Sequence, residues 1–280
     1  MTTLKDESLA GRRARLEDIL TEMKSVVVAF SGGVDSTLLL KVARTVLGEG
    51  VLAVTAKSET TAGHEMQEAV QLAAEFGVNH LVIESEELKD PEFLKNHEDR
   101  CYVCKRGRFS AIARIAKENG LAFVADGSNT DDRGDFRPGM KAIEELGVRS
   151  PLLEAGLSKA DIRLLSRQLE LPTWDKPPYA CLATRIPCGS PITVEKLRRI
   201  DACEDLLRKM SISRQVRVRD YTDTARIELA TEDIAKLLDI GTRERVTAFF
   251  KNLGFRFVTL DLEGYRSGSL NTHLVKIPSH

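Results

Sequence analysis

A run of β-branched and apolar residues, Val26-Val27-Val28-Ala29-Phe30, passes straight into Ser31-Gly32-Gly33-Val34-Asp35-Ser36-Thr37 and on into Leu38-Leu39-Leu40-Lys41-Val42-Ala43. That order reads as strand, tight turn and helix. The paired glycines leave the backbone free to take φ > 0 and let a ligand come close. The helix behind them points its first free amides and its positive dipole end at the turn. Ser31, Ser36 and Thr37 add hydroxyl donors. Together these features describe a cradle for a polyphosphate. No Gly-Lys-Ser/Thr closes the loop, so it is not a Walker A loop. Asp35 would repel a bare phosphate, which calls for Mg²⁺ between them.

The rest of the first half repeats the alternation. Residues 51–55, 80–83 and 121–125 read as further strands. Helices are expected over residues 16–23, up to about residue 47, over 65–76 and over about 107–119. Strands alternating with helices of this length give an α/β fold, a parallel sheet with helices on both faces. Ligands on such sheets bind at the carboxyl ends of the strands. Those ends hold Ser31 to Ser36, Lys57 in Thr55-Ala56-Lys57-Ser58, Glu84-Ser85, and Asp126-Gly127-Ser128-Asn129, and they are expected to converge on one nucleotide site. The acidic residues of the 126–132 stretch suit Mg²⁺, and Arg137 suits a phosphate or carboxylate held bidentately.

Five cysteines, unevenly spread through 280 residues, argue against a disulfide framework and fit thiol, metal or cluster chemistry. The first fifteen residues are polar and mixed in charge, unlike a signal peptide. No apolar run approaches the ~20 residues that span a bilayer. With a net charge of −1 there is no basic excess for nucleic acid. A cytoplasmic protein with neither nucleic-acid nor membrane partners is expected. Arg100-Cys101-Tyr102-Val103-Cys104-Lys105 is a weak motif, open to half a zinc site, a redox pair or plain packing. Arg100, Lys105 and Arg106 make it basic, and Tyr102 joins the ligand-site candidates.

Five prolines between residues 172 and 191 mark a linker, so a first domain of residues 1–175 and a second of 176–280 are expected. Ser158 with Asp161 reads as a capping box starting the helix before it. In the linker, Cys181 is followed four residues later by Arg185, a cation able to lower a thiol pKa. Beyond it a small α+β domain is expected, with helices over residues 194–210, 234–238 and 246–253, strands over 215–220, 225–229 and 255–262, and an irregular tail from about 267. Arg217 and Arg219 alternate on one strand face, as a solvated face or as an anion clamp.

The combination is more specific than its parts. Ser31-Gly32-Gly33-Val34-Asp35-Ser36 looks like the pyrophosphate-binding motif of the PP-loop ATP pyrophosphatases. With Arg100-Cys101-Tyr102-Val103-Cys104-Lys105, Asp126-Gly127-Ser128-Asn129, Arg137-Pro138-Gly139, Ala180-Cys181-Leu182-Ala183-Thr184-Arg185-Ile186-Pro187 and Arg217-Val218-Arg219, it resembles the LarE family over nearly the whole chain. The resemblance implies an ATP-dependent sulfur transferase. Such an enzyme adenylates a carboxylate of pyridinium-3,5-biscarboxylic acid mononucleotide and turns it into a thiocarboxylate, for the nickel-pincer nucleotide cofactor. It implies MgATP on residues 31–37, Cys181 as sulfur carrier, and Arg185, Arg217 and Arg219 toward the mononucleotide. It also implies a homo-oligomer. Cys181, Cys188 and Cys203 would then hold a 4Fe-4S cluster, or Cys181 would give up its own sulfur. Without the resemblance, another PP-loop enzyme (a tRNA thiolase or an amidating synthetase) or a non-catalytic adenine-nucleotide module stays open.

Overall fold

The computed structural model describes residues 8–134, 138–177 and 180–266. Two compact units emerge. The first is drawn from residues up to Phe93 and from Glu98 to Tyr179, the second from Leu94–His97 and from Ala180 onward.

In the first unit, α1 (Leu9–Met23), β1 (Val26–Ala29), α2 (Val34–Leu47), β2 (Val51–Lys57), α3 (Gly63–Glu75) and β3 (Asn79–Glu84) come first. A single helical turn, α4 (Pro91–Leu94), leads to α5 (Arg100–Glu118), β4 (Phe123–Ala125), α6 (Pro138–Glu145), the short α7 (Pro151–Glu154) and α8 (Lys159–Gln168). The sheet order is β3-β2-β1-β4, and every pairing is parallel. β1 is therefore a central strand. Val26, Val28 and Phe30 pack into a core with Leu16 and Leu20 of α1, Leu38 and Leu39 of α2 and Ile162 of α8. Val27 faces the other way, into a core with Phe109 and Ile112 of α5 and Ile143 of α6. Burial on both faces is why the strand reads as an unbroken apolar run.

Two helices begin earlier than their apolar spacing predicts. α1 starts at Leu9, where the Ser8 hydroxyl caps it by accepting from Gly11 N at 3.1 Å. α5 starts at Arg100, so Cys101 and Cys104 lie on its opening turns rather than in a loop. The α8 capping box is present, with Ser158 and Asp161 bonding each other's backbone amides.

The second unit holds α9 (Val194–Lys209), β5 (Val216–Tyr221), β6 (Thr224–Leu229), α10 (Ile240–Asn252) and β7 (Phe257–Leu260). β5 and β6 form an antiparallel hairpin, and β7 adds parallel to β6. Residues Thr231–Leu238 form a 3-10 helix. The core gathers Leu207 of α9, Val218 and Ile227 of the hairpin, and Phe250 and Phe255. Leu94–His97 belongs to this unit through Asn96, which is fully buried at φ +57°. Its amide donates to the carbonyls of Ile186 at 3.3 Å, Pro187 at 2.8 Å and Ser190 at 2.9 Å. The expected irregular tail beyond residue 266 lies outside the described residues.

Candidate active site

β1 delivers the chain to the Ser31-Gly32-Gly33 turn, and α2 leaves it. Gly32 takes φ +68°, a conformation that favours glycine. Any Cβ there would lie 3.2 Å from Ala69 of α3. Gly33 is the N-cap of α2 and brings no side chain to its first amides. The Ser31 and Ser36 hydroxyls lie 3.1 Å apart. On the other side, Gly127 from the turn after β4 fits against the first turn of α2. A Cβ on it would be 3.1 Å from Ser36 N. Thr37 is fully buried, and its hydroxyl finds no hydrogen-bond partner among the described residues.

Charge around this turn comes from residues far apart in sequence. The Asp35 carboxylate is paired with the Lys159 ammonium, and the Asn129 side-chain amide donates to it at 3.4 Å. Lys159 opens α8, and its backbone N–H donates to Asp131 Oδ2 at 3.0 Å. The Lys176 ammonium donates to the Gly32 carbonyl at 2.9 Å and pairs with Glu68 at 2.5 Å. Lys159 and Lys176 did not stand out in the sequence, where a lysine in a highly charged chain carries no signal. Asp126 is occupied by the Ser128 and Ser150 hydroxyls at 2.5 and 2.7 Å. Asp35 is thus engaged by Lys159 and Asn129, and Mg²⁺ arriving with the nucleotide, which is commonly held by one or two carboxylates plus substrate phosphates, would take the place of the Lys159 ammonium on it.

Lys57 ends β2 and is exposed, with its ammonium 3.5 Å from Glu84. Tyr102 on α5 donates its hydroxyl to Glu145 at 2.7 Å and lies under the Arg106 guanidinium and the Lys141 ammonium. Arg137 lies outside the described residues.

In the second unit, Cys181 precedes a 3-10 turn, Leu182–Arg185. The Arg185 side chain is 1% exposed. Its guanidinium donates to Glu204 at 2.8 and 3.0 Å, to the Cys181 carbonyl at 3.2 Å and to the Ala180 carbonyl. It therefore holds the backbone of the cysteine turn. Arg217 and Arg219 are buried too, and so are not a solvated strand face. Arg219 donates to Glu228 at 2.7 Å and to the Thr184 carbonyl at 3.0 Å, and Arg217 donates to the Val216 carbonyl at 2.8 Å and lies over the Tyr265 ring. Glu204 also accepts from Arg208 at 2.9 Å and from Val218 N at 3.0 Å. Burial pushes its carboxyl up, but Arg185, Arg217 and Arg208 outweigh that and hold it below the usual range.

The three cysteines of the second half are not gathered. Cys188 is exposed, while Cys203 is fully buried in the core against the hairpin. Burial, with Glu204 beside it, pushes the Cys203 thiol well up. Among the described residues no three Cys, His, Asp or Glu side chains meet where a metal ion could sit. The thiols as folded do not fit a cluster site. A three-thiolate cluster would require Cys203 to leave the core.

A sequence profile of the NAD synthase family matches residues 13–132, the span from α1 through the turn after β4. Pyridinium-3,5-bisthiocarboxylic acid mononucleotide synthase of Lactiplantibacillus plantarum is 41% identical over 270 residues, 96% of this chain and 97% of that protein. The chain belongs to the LarE family. An uncharacterized protein of Synechocystis sp. is 42% identical over 96% of the chain and its own full length. The tRNA-specific 2-thiouridylase MnmA of Azorhizobium caulinodans is 30% identical over 58% of the chain and 52% of that relative. As a LarE-family protein the chain is an ATP-dependent sulfur transferase on a PP-loop domain. No helix among the described residues is long and apolar enough to cross a membrane.

Proposed function

We propose that the protein adenylates a carboxylate of pyridinium-3,5-biscarboxylic acid mononucleotide and converts it to the thiocarboxylate. The observation that supports this most is the full-length match to a LarE synthase combined with an intact Gly32-Gly33 turn at the N-terminus of α2. In this reading Ser31, Gly32, Gly33, Asp35 and Ser36 hold the phosphates of MgATP, with Gly127 and Asn129 as the far wall. The substrate carboxylate attacks the α-phosphorus. Pyrophosphate leaves toward the loop amides, which stabilise the charge that develops on it. The Cys181 sulfur then attacks the acyl adenylate and displaces AMP, forming a thioester. Loss of the Cys181 Cα proton and cleavage of its Cβ–S bond release the thiocarboxylate and leave dehydroalanine. Arg185 fixes the cysteine turn through the carbonyls of Ala180 and Cys181. Arg217 and Arg219 lend that turn a positive surrounding for an anionic substrate. Cys203, buried in the core, takes no part in this sequence of steps. The reading includes a homo-oligomer, as the family resemblance implies, in the cytoplasm and without nucleic acid, as the polar first fifteen residues and the near-neutral charge lead us to expect.

The test is pyrophosphate release in the presence and absence of the mononucleotide. Release that does not depend on it overturns the proposal. Intact mass after one turnover reports the sulfur source. Loss of about 34 Da at Cys181, one H₂S, supports the sacrificial route. An unchanged Cys181, with about four irons per chain after anaerobic reconstitution, replaces it by the cluster route.

A further inference from the structure

The peptide joining Gly32 to Gly33 must present an N–H to an anion, yet it is the part of the loop least able to hold itself. Neither flanking residue has a Cβ, so the peptide turns over as a unit at little steric cost. It is planar and trans, with its N–H and C=O pointing opposite ways. Half a turn would put a carbonyl where the N–H belongs, and a carbonyl there repels phosphate.

In the structure the carbonyl side of this peptide is occupied. The Lys176 ammonium donates to the Gly32 oxygen at 2.9 Å. The ammonium is anchored in turn by Glu68 of α3 at 2.5 Å, and the Lys176 side chain is 11% exposed. Its backbone is fixed as well. Arg163 of α8 donates to the carbonyls of Trp174 at 2.7 Å and Lys176 at 2.8 Å. With the Gly32 oxygen held, the Gly33 N–H points away from Lys176 and donates to the Oγ of the exposed Ser31 at 3.4 Å, a long bond that an arriving phosphate oxygen can replace.

We propose that Lys176 is a positioning residue for nucleotide cleavage. It locks the Gly32–Gly33 peptide with its N–H toward the phosphates, so that the anion hole exists before the nucleotide arrives. This rests on the loop being the nucleotide site.

The test follows the Gly33 amide by NMR as inorganic pyrophosphate is added, alongside the rate of mononucleotide-dependent pyrophosphate release. Lys176→Met keeps the aliphatic stem and removes the donor. Wild type should show a Gly33 shift on adding pyrophosphate. Lys176→Met should lose that shift and drop in kcat by about 100-fold, the low end of what one lost anion-hole donor costs. Its KM for the mononucleotide should hold within about twofold, since the loop peptide faces the phosphates of the nucleotide and not that substrate. Lys176→Arg should recover most of the rate. If Lys176→Met does not fold, Glu68→Gln, which loosens the ammonium but leaves the lysine, should give the same changes in smaller measure. A Gly33 shift and a kcat that survive in Lys176→Met, or in Glu68→Gln where the first does not fold, overturn the lock alone. A wild type with neither shift nor pyrophosphate release overturns the nucleotide site and the lock together.

Discussion

Replacing Glu87 by glutamine removes one buried charge and keeps the shape of the side chain. Glu87 lies in the 3-10 turn after β3 and is 7% exposed. One carboxylate oxygen accepts from Thr60 Oγ1 at 2.9 Å and from Arg108 of α5 at 2.5 Å, and the other from the Ser85 hydroxyl. Burial pushes this carboxyl up. The charge and hydrogen bond of Arg108, with the hydroxyls of Ser58 and Ser85, outweigh burial and bring it down to about 2, against an ordinary 4.5. That difference stabilises the fold by about 3.4 kcal/mol at pH 7. The folded value lies below the unfolded one. The contribution is therefore complete well above the unfolded value and is lost as pH falls through the folded one, with about 1.4 kcal/mol left at pH 3. Trp174 is the only tryptophan and belongs to the first unit, so its fluorescence reports urea unfolding there. Glu87→Gln should be less stable by about 3 kcal/mol at pH 7, with the gap narrowing to about half or less at pH 3. An equal gap at both pH values refutes the reasoning.

Asp35→Ala should abolish pyrophosphate release while the Trp174 unfolding midpoint stays put, and release at the wild-type rate would remove the loop from the chemistry. Arg217→Ala should destabilise the second unit, because the Arg217 charge is one of those that hold Glu204 ionised in the core. Calorimetry measures this, and an unchanged transition would mean that Arg217 serves substrate rather than fold. Iodoacetamide on the native protein should modify exposed Cys101 and Cys188 well before Cys203, whose thiol is buried and pushed up. Peptide mass spectrometry reads the order, and prompt labelling of Cys203 contradicts the core placement.

What was legible in the sequence was local. The strand, glycine turn and helix at residues 26–43 and the Ser158 capping box each rest on residues close together in the chain, and the alternation that makes a parallel sheet is a succession of such short segments. The start of α5 was not legible, because its N-cap, Asp99, makes no side-chain bond to the helix. The fate of Arg217 and Arg219 depended on carboxylates from α9 and β6. In the hairpin register Glu228 stands opposite Arg217 yet bonds Arg219, a diagonal pairing that alternation cannot reveal. Lys159 and Lys176 reach the loop from 124 and 144 residues away. Cys203 did carry a signal. Ile200 and Leu207, three before and four after it on α9, are both buried, which sets the cysteine on the inner stripe.

Asn96 makes the order of synthesis matter. It leaves the ribosome with the first half of the chain, but its carbonyl acceptors at Ile186, Pro187 and Ser190 follow 90, 91 and 94 residues later. At about 5–20 residues per second, that is a wait of roughly 5 to 20 seconds. Throughout it, residues 94–97 have no partner from their own unit, while the flanking strands and helices are already free to pack. The turn that carries Cys181 and Cys188 closes around a segment made long before it. A gene cut at the boundary near residue 180 would yield a second half without the asparagine that ties this turn.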